Sequence, residues 1–190
     1  MVDAVLSART RVAVAGLLVA LTGCSSDSGG RVDDRAQQEA ALAQRPTAEQ
    51  EVARLTRARD AVRERLATEL GLTAWSDRGN ANSAGCADYP ASRGITSFVS
   101  SLGLAGGVPD ERWVRAVELV VTTAADYGFG AAETVVDEPG QHEIVLRGER
   151  GSRLRFSTLT NATVALETGC HLPAATAAGP PLSRPAVRRP

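Results

Sequence analysis

The sequence predicts an α+β domain: two amphipathic helices packed on one face of an antiparallel β-sheet, with a C-terminal four-strand meander. Three observations predict it. Apolar residues recur at helical spacing over 47–70 and again over 109–127. Beyond Gly128 the apolar period falls from 3.6 to 2, and each alternating run is closed by a turn signal. Helices with one apolar stripe and strands with one apolar side must bury those faces against each other.

Residues 1–23 read as a lipoprotein signal peptide. Arg9 and Arg11 precede an apolar run, Val12 to Leu21, that closes in Leu21-Thr22-Gly23-Cys24. Ten apolar residues make a helix of roughly 15 Å, about half of what crossing a bilayer requires, so the run suits a cleaved export signal and not a membrane span. The four closing residues form a lipobox, and Cys24 is expected to become the lipidated first residue of the mature chain. The other reading is an ordinary secretory signal with a chance cysteine at its cleavage site. Acyl chains of the palmitate type on Cys24, each buried methylene contributing about 0.8 kcal/mol, make the membrane the expected partner and its outer face the expected location.

Removing 1–23 leaves 167 residues, enough for one domain and its tails. The whole chain carries a net charge of -1 and has no basic stripe, so no nucleic-acid partner is expected. Every basic residue is arginine; with the many Ala, Gly and Val, this composition points to a GC-rich, actinobacterial genome.

Residues 24–47 are expected to be the lipidated cysteine and a flexible tether, because Ser25 to Arg45 are rich in Ser, Gly, Asp, Gln and Ala. The domain is expected over 48–172. Thr47 and Gln50 have capping-box spacing after Pro46; Val52, Leu55, Val62, Leu66 and Leu70 form a stripe, and Gly71 ends it. Arg54, Arg57, Arg63, Arg65, Glu64 and Glu69 fall on the wet side, a solvated face or a docking face for anionic lipid or wall polymer. Leu72 to Asp77 reads as a short strand, Arg78 to Gly85 as a polar loop, and Gly94 to Ser101 as an extended piece with a glycine-rich exit over Gly103 to Gly107.

The second helix is expected from Pro109 to Tyr127. Proline suits its first turn, Asp110 and Glu111 favour the positive end of its dipole, and Trp113, Val117, Val120, Val121 and Ala124 form its core stripe. Four strands follow: Ala131–Asp137, His142–Arg147, Arg153–Leu159 and Thr163–Glu167. They are joined by turns at 138–141, 149–151 and 160–161. The wet side of this meander carries Glu143, Arg147, Arg153, Arg155 and Glu167, a contact surface or plain solvated sheet. Residues 173–190 are expected to be a disordered Pro/Ala-rich tail.

Outside the cytoplasm, Cys86 and Cys170 are most simply one disulfide, tying the loop after the first strand to the end of the last. His142 and His171 sit in no metal-ligand spacing, and His171 reads as a surface imidazole. Asp137 and Glu138 read as a solvated turn. No G-x-S-x-G and no phosphate loop with lysine occurs. No catalytic residue, metal or cofactor is therefore expected.

The features in order resemble the LppA-like lipoprotein family of mycobacterial and other actinobacterial envelopes. They are the lipobox, the arginine-rich helix before Trp75 and Asp77, the Asn-rich loop to Cys86, Ala124-Ala125-Asp126-Tyr127-Gly128, Phe156-Ser157-Thr158-Leu159, Leu166, and Gly169-Cys170. The resemblance implies a cell-envelope lipoprotein with a helix-on-sheet domain and brings no catalytic or ligand residues. The expected function is a membrane-anchored, non-enzymatic surface binding or structural module, with an envelope protein, a wall polymer or a lipid as candidate partner. The alternative is a carrier of a lipid or other small apolar ligand held between helices and sheet.

Overall fold

A computed structural model describes residues 28–177; the lipobox at Leu21–Cys24, the rest of the signal and the tail beyond 177 lie outside the described residues. The elements run α1 (Ser28–Leu42), α2 (Ala48–Leu70), β1 (Trp75–Asp77), β2 (Asn82–Gly85), β3 (Ile95–Ala105), α3 (Asp110–Ala125), β4 (Phe129–Glu138), β5 (Gln141–Gly148), β6 (Arg153–Thr158), β7 (Asn161–Glu167) and α4 (Ala174–Ala177). The seven strands form one sheet in the order β1-β3-β7-β6-β5-β4, and β2 also pairs with β3. All the strand pairings are antiparallel. The fold class read from the sequence is the one observed.

Helix α2 begins as its sequence dictates. The Thr47 hydroxyl oxygen accepts the Gln50 N–H at 3.3 Å, and the Gln50 side chain accepts the Thr47 N–H at 2.9 Å. It stops at Gly71, whose φ of 64° is open to glycine at little cost and whose N–H donates to the Ala67 carbonyl. Leu55, Ala58, Val62 and Leu66 of α2 and Trp113, Ala116, Leu119, Val120 and Ala124 of α3 cover one side of the sheet. There they meet Val99, Leu102, Ile144, Leu146, Leu154, Phe156, Val164 and Leu166. This is the core. A fully buried leucine or phenylalanine side chain contributes roughly 1.5–3 kcal/mol through area removed from water.

In the meander Arg153 pairs with Glu167, Leu154 with Leu166 and Phe156 with Val164, while Ile144 pairs with Phe156. Leu154 and Phe156 therefore point to the helices, and Arg153 and Arg155 point away.

Three expectations need correction. The stretch expected as a tether is helical over Ser28–Leu42 and docks on the domain. Among its described side chains the one large buried one is Leu42, which joins Cys86, Cys170 and Leu172 in a second, small core. Polar contacts do the rest: Arg93 donates twice to Glu39 at 2.8 Å, and Gln38 accepts the Ala91 N–H at 3.0 Å. A helix fastened this way shows too little apolar periodicity to read. Second, the polar loop before Cys86 contains β2, whose exposed Asn-Ser-Ala-Gly is held as a strand by backbone pairing with β3. Third, β3 runs to Ala105 through the glycine-rich exit, because Gly103 leaves room for the Arg78 guanidinium. At the C-terminal end, Ala174–Ala177 of the expected tail form a single helical turn.

Candidate functional site

The helices cover one side of the sheet and leave the other open. On that open side three ion pairs lie in cross-strand rows: Arg153 with Glu167, Arg155 with Glu143 at 3.5 Å, and Arg147 with Glu133 at 3.2 Å. Arg153 and Glu167 are directly opposite, whereas Arg155–Glu143 and Arg147–Glu133 are diagonal neighbours, within reach of a long arginine side chain. The exposures are unequal. Glu143 and Glu167 are 21% and 22% exposed, whereas their partners Arg155 and Arg153 are 57% and 49% exposed. At these two pairs the carboxylates are tucked against the sheet and the guanidinium heads project, whereas Glu133 and Arg147 are both exposed.

Over β3, β6 and β7 the open face is hollowed into a groove of about 340 Å³. Phe98, Ala165 and Ser101 form part of its lining, with Arg153, Arg155 and Glu167 along one side and Asn80 opposite. Successive strand residues face opposite ways, so Val99 enters the core and Phe98 is left 38% exposed in the groove. Asn80 is set by Ser101, whose N–H and hydroxyl both donate to its Oδ1 at 2.9 and 3.1 Å. A backbone N–H can only donate, which fixes the amide orientation and turns its NH₂ group away from Ser101.

The sheet edge beside the groove is held by ions. Arg59 of α2, nearly buried, donates to the Ser100 carbonyl at 2.7 Å and to Asp77 at 3.3 Å. The Ser100 hydroxyl and then the Gly79 N–H hold the Asp77 carboxyl below its ordinary range, with Arg59 adding to them. These contacts anchor the β1 edge to α2.

Of the residues singled out in the sequence, Arg153, Arg155 and Glu167 line the groove, whereas the cysteines, the histidines and Asp137 are not in its lining. Cys86 and Cys170 are joined as a disulfide, with Cα atoms 5.6 Å apart, beneath Leu42. His171 is not a surface imidazole. It is completely buried, its Nδ1 donates to the Pro46 carbonyl at 2.8 Å, and its Nε2 has no hydrogen-bond partner among the described residues. Burial pushes its pKa down, more than the Pro46 bond and nearby Glu51 push it up. Asp137 is not merely a turn residue: it binds His142 Nδ1 at 2.8 Å while Asp110 binds Nε2 at 3.1 Å. The His142 ring stacks on Trp113 with centroids 5.1 Å apart, and Trp113 stacks in turn on Phe156. Both ring nitrogens of His142 are thus occupied in joining the β4–β5 turn to α3.

Sequence reading assigned neither Glu51 nor Arg59, and left Phe98 and Asn80 without a functional role. Glu51 is 1% exposed and paired with Arg54. Burial raises its pKa, but the Arg54 bond and charge outweigh that and leave it lowered. Strand parity sets Phe98 and Val99 on opposite faces without saying which of the two is outward. Asn80 carried no such signal, because its position depends on the fold of the β1–β2 loop.

Among the described residues no group of three or more His, Cys, Asp or Glu is arranged to hold a metal, and no helix is long and apolar enough to cross a membrane. Two further clefts, about 530 Å³ on the solvent side of the α2–α3 seam and about 260 Å³ beside the β5–β7 ends, flank the domain. None of these three lies between helices and sheet, where a carrier would hold its cargo.

Fold and site together define an α+β domain with a helical layer on one side of a seven-stranded sheet and paired arginines and glutamates on the other. Residues 27–174 match the profile of the LppA family, described as a lipoprotein confined to pathogenic Mycobacterium, and the chain belongs to that family. It is similar in structure to the putative lipoprotein LppA from Mycobacterium tuberculosis, with TM-score 0.69 and 17% identity over 84% of this chain and 99% of that one. A DUF4853 family protein from Actinomyces odontolyticus is also similar, with TM-score 0.51 and 19% identity over 75% of this chain and 76% of that one. No curated protein sequence matches. At these identities the structural likenesses bear on fold alone.

Proposed function

We propose that this protein is a non-enzymatic binding module of the cell envelope, held at the outer face of the membrane by lipid on Cys24 and engaging its partner through the open face of the sheet. The lipobox sequence and membership of a lipoprotein family support the anchor. One observation supports the binding role: the side of the sheet away from the helices presents the projecting Arg153 and Arg155 at a groove, while their partners Glu167 and Glu143 stay tucked. Arginine forks in such a setting suit recognition of planar or tetrahedral anions. The non-enzymatic reading draws on the histidines, since His142 has both nitrogens committed and His171 is enclosed.

The test is retention on isolated cell envelopes. The released mature domain should bind them, and the Arg153→Gln, Arg155→Gln pair should reduce that binding at least tenfold with an unchanged circular dichroism spectrum. Equal retention of both proteins would move the binding surface elsewhere.

A further inference from the structure

We infer that the groove on the open face takes an acidic sugar of an envelope glycan, its ring lying on Phe98 and its carboxylate held by Arg155. The inference rests on the reading of the open face as the binding surface and names the ligand class.

Two chemistries meet in the groove. Phe98 and Ala165 supply an apolar floor, and Phe98 is exposed enough to take a ring against its face. Sugars pair an apolar ring face with polar edges, so an aromatic floor with donors at its rim is the complement they need. The rim donors are present. Arg155 meets Glu143 through Nε at 3.5 Å, so its two Nη groups, the parallel pair that fits a carboxylate bidentately, are not the ones engaged there. Asn80 also lines the groove, its Oδ1 taken by Ser101, which leaves its NH₂ group as the donor there. Arg153 is engaged with Glu167 and keeps that carboxylate from repelling an incoming anion.

The size agrees. A space of about 340 Å³ lies at the small end of ligand sites and suits a monosaccharide or disaccharide unit, not a lipid chain. The groove opens along the sheet face, so the unit can belong to a longer polymer that continues beyond it.

The experiment is titration of the mature chain, residues 24–190, by calorimetry and amide chemical-shift mapping against three probes: tetragalacturonate, maltotetraose and glucose 1-phosphate. The inference predicts that tetragalacturonate binds, that shifts concentrate at Asn80, Phe98, Ser101 and Arg155, and that Arg155→Gln and Phe98→Ser each weaken binding about tenfold or more. Arg155→Lys, which keeps the charge and loses the fork, should weaken it too. Equal binding of maltotetraose would overturn the carboxylate, and preferential binding of glucose 1-phosphate would replace it with phosphate. Absence of binding by tetragalacturonate would overturn the ligand class. If wild-type domain were still retained on envelopes through Arg153 and Arg155, the open face would remain the binding surface with a different partner.

Discussion

His171 lies completely buried with its Nδ1–H on the carbonyl of Pro46, 2.8 Å away, and so ties the segment after β7 to the residue before the α2 N-cap. The same residue exchanges backbone hydrogen bonds with Ile95 of β3 at 2.8 and 3.0 Å. One side chain and its peptide group therefore join the approach to α2, strand β3 and the C-terminal end of the domain.

This arrangement makes stability depend on pH. Burial lowers the folded-state pKa of His171. The folded protein therefore prefers the neutral ring, and the unfolded chain binds the proton more readily. The stabilisation is whole above the unfolded value, near 6.5, and is lost as pH falls from there toward the folded pKa, at no more than about 1.4 kcal/mol per pH unit. Urea denaturation of the wild type at pH 7.5 and 5.5 should show the loss, and His171→Gln should show less of it. A pH-independent wild type across that window would contradict the buried neutral ring. Glu51 acts in a separate, more acid window. Its folded pKa is lowered, so its contribution holds above about 4.5 and is lost as pH falls through the folded value.

Reducing the Cys86–Cys170 bond should cost roughly 4–5 kcal/mol, the chain-entropy figure for a sequence separation of 84. The readout is the shift in denaturation midpoint between oxidised protein and the Cys86→Ser, Cys170→Ser double variant. Two free thiols in the native protein, counted by intact mass after alkylation, would refute the pairing.

Leu42→Ala tests whether the N-terminal helix is part of the fold. Leu42 has no exposure and packs with the disulfide and Leu172, so the truncation should cost about 2–4 kcal/mol. A free tether would lose almost nothing.

The helices and the meander were legible because each repeats an apolar period long enough to read. Thr47, Gly71, Gly128 and the turn at Pro139-Gly140 then marked their ends. What escaped was held by means that leave no periodic trace. Helix α1 is fastened by Glu39, Gln38 and one leucine, and β2 by backbone pairing alone. His171 looked superficial because the groups that hold it, the Pro46 carbonyl and the backbone of Ile95, are far away in sequence. The groove was half legible. Alternation put Arg153, Arg155 and Glu167 on the open side, but only the β1–β2 loop brings Asn80 opposite them.

Gly169 gives a sharper test of the β7 exit. A Cβ there would overlap the carbonyl oxygen of Arg150, a backbone atom with no room to swing aside. Gly169→Ala should destabilise by about 1–3 kcal/mol, the usual cost of overpacking. Alanine at the exposed Gly140, where nothing lies within 4 Å, should cost less, reflecting only its φ of 75°.

Cys24→Ala should move the protein from the membrane to the soluble fraction of its host. Persistence in the membrane would remove the lipid anchor from the account.

The open face itself is tested most directly by photo-crosslinking in the host. A photoreactive residue in place of Phe98, on the open sheet face, is compared with one in place of Val114, exposed on α3. The account predicts a discrete crosslinked species from position 98 and none from position 114. Crosslinking from position 114 alone would place the working surface on the helices and contradict it.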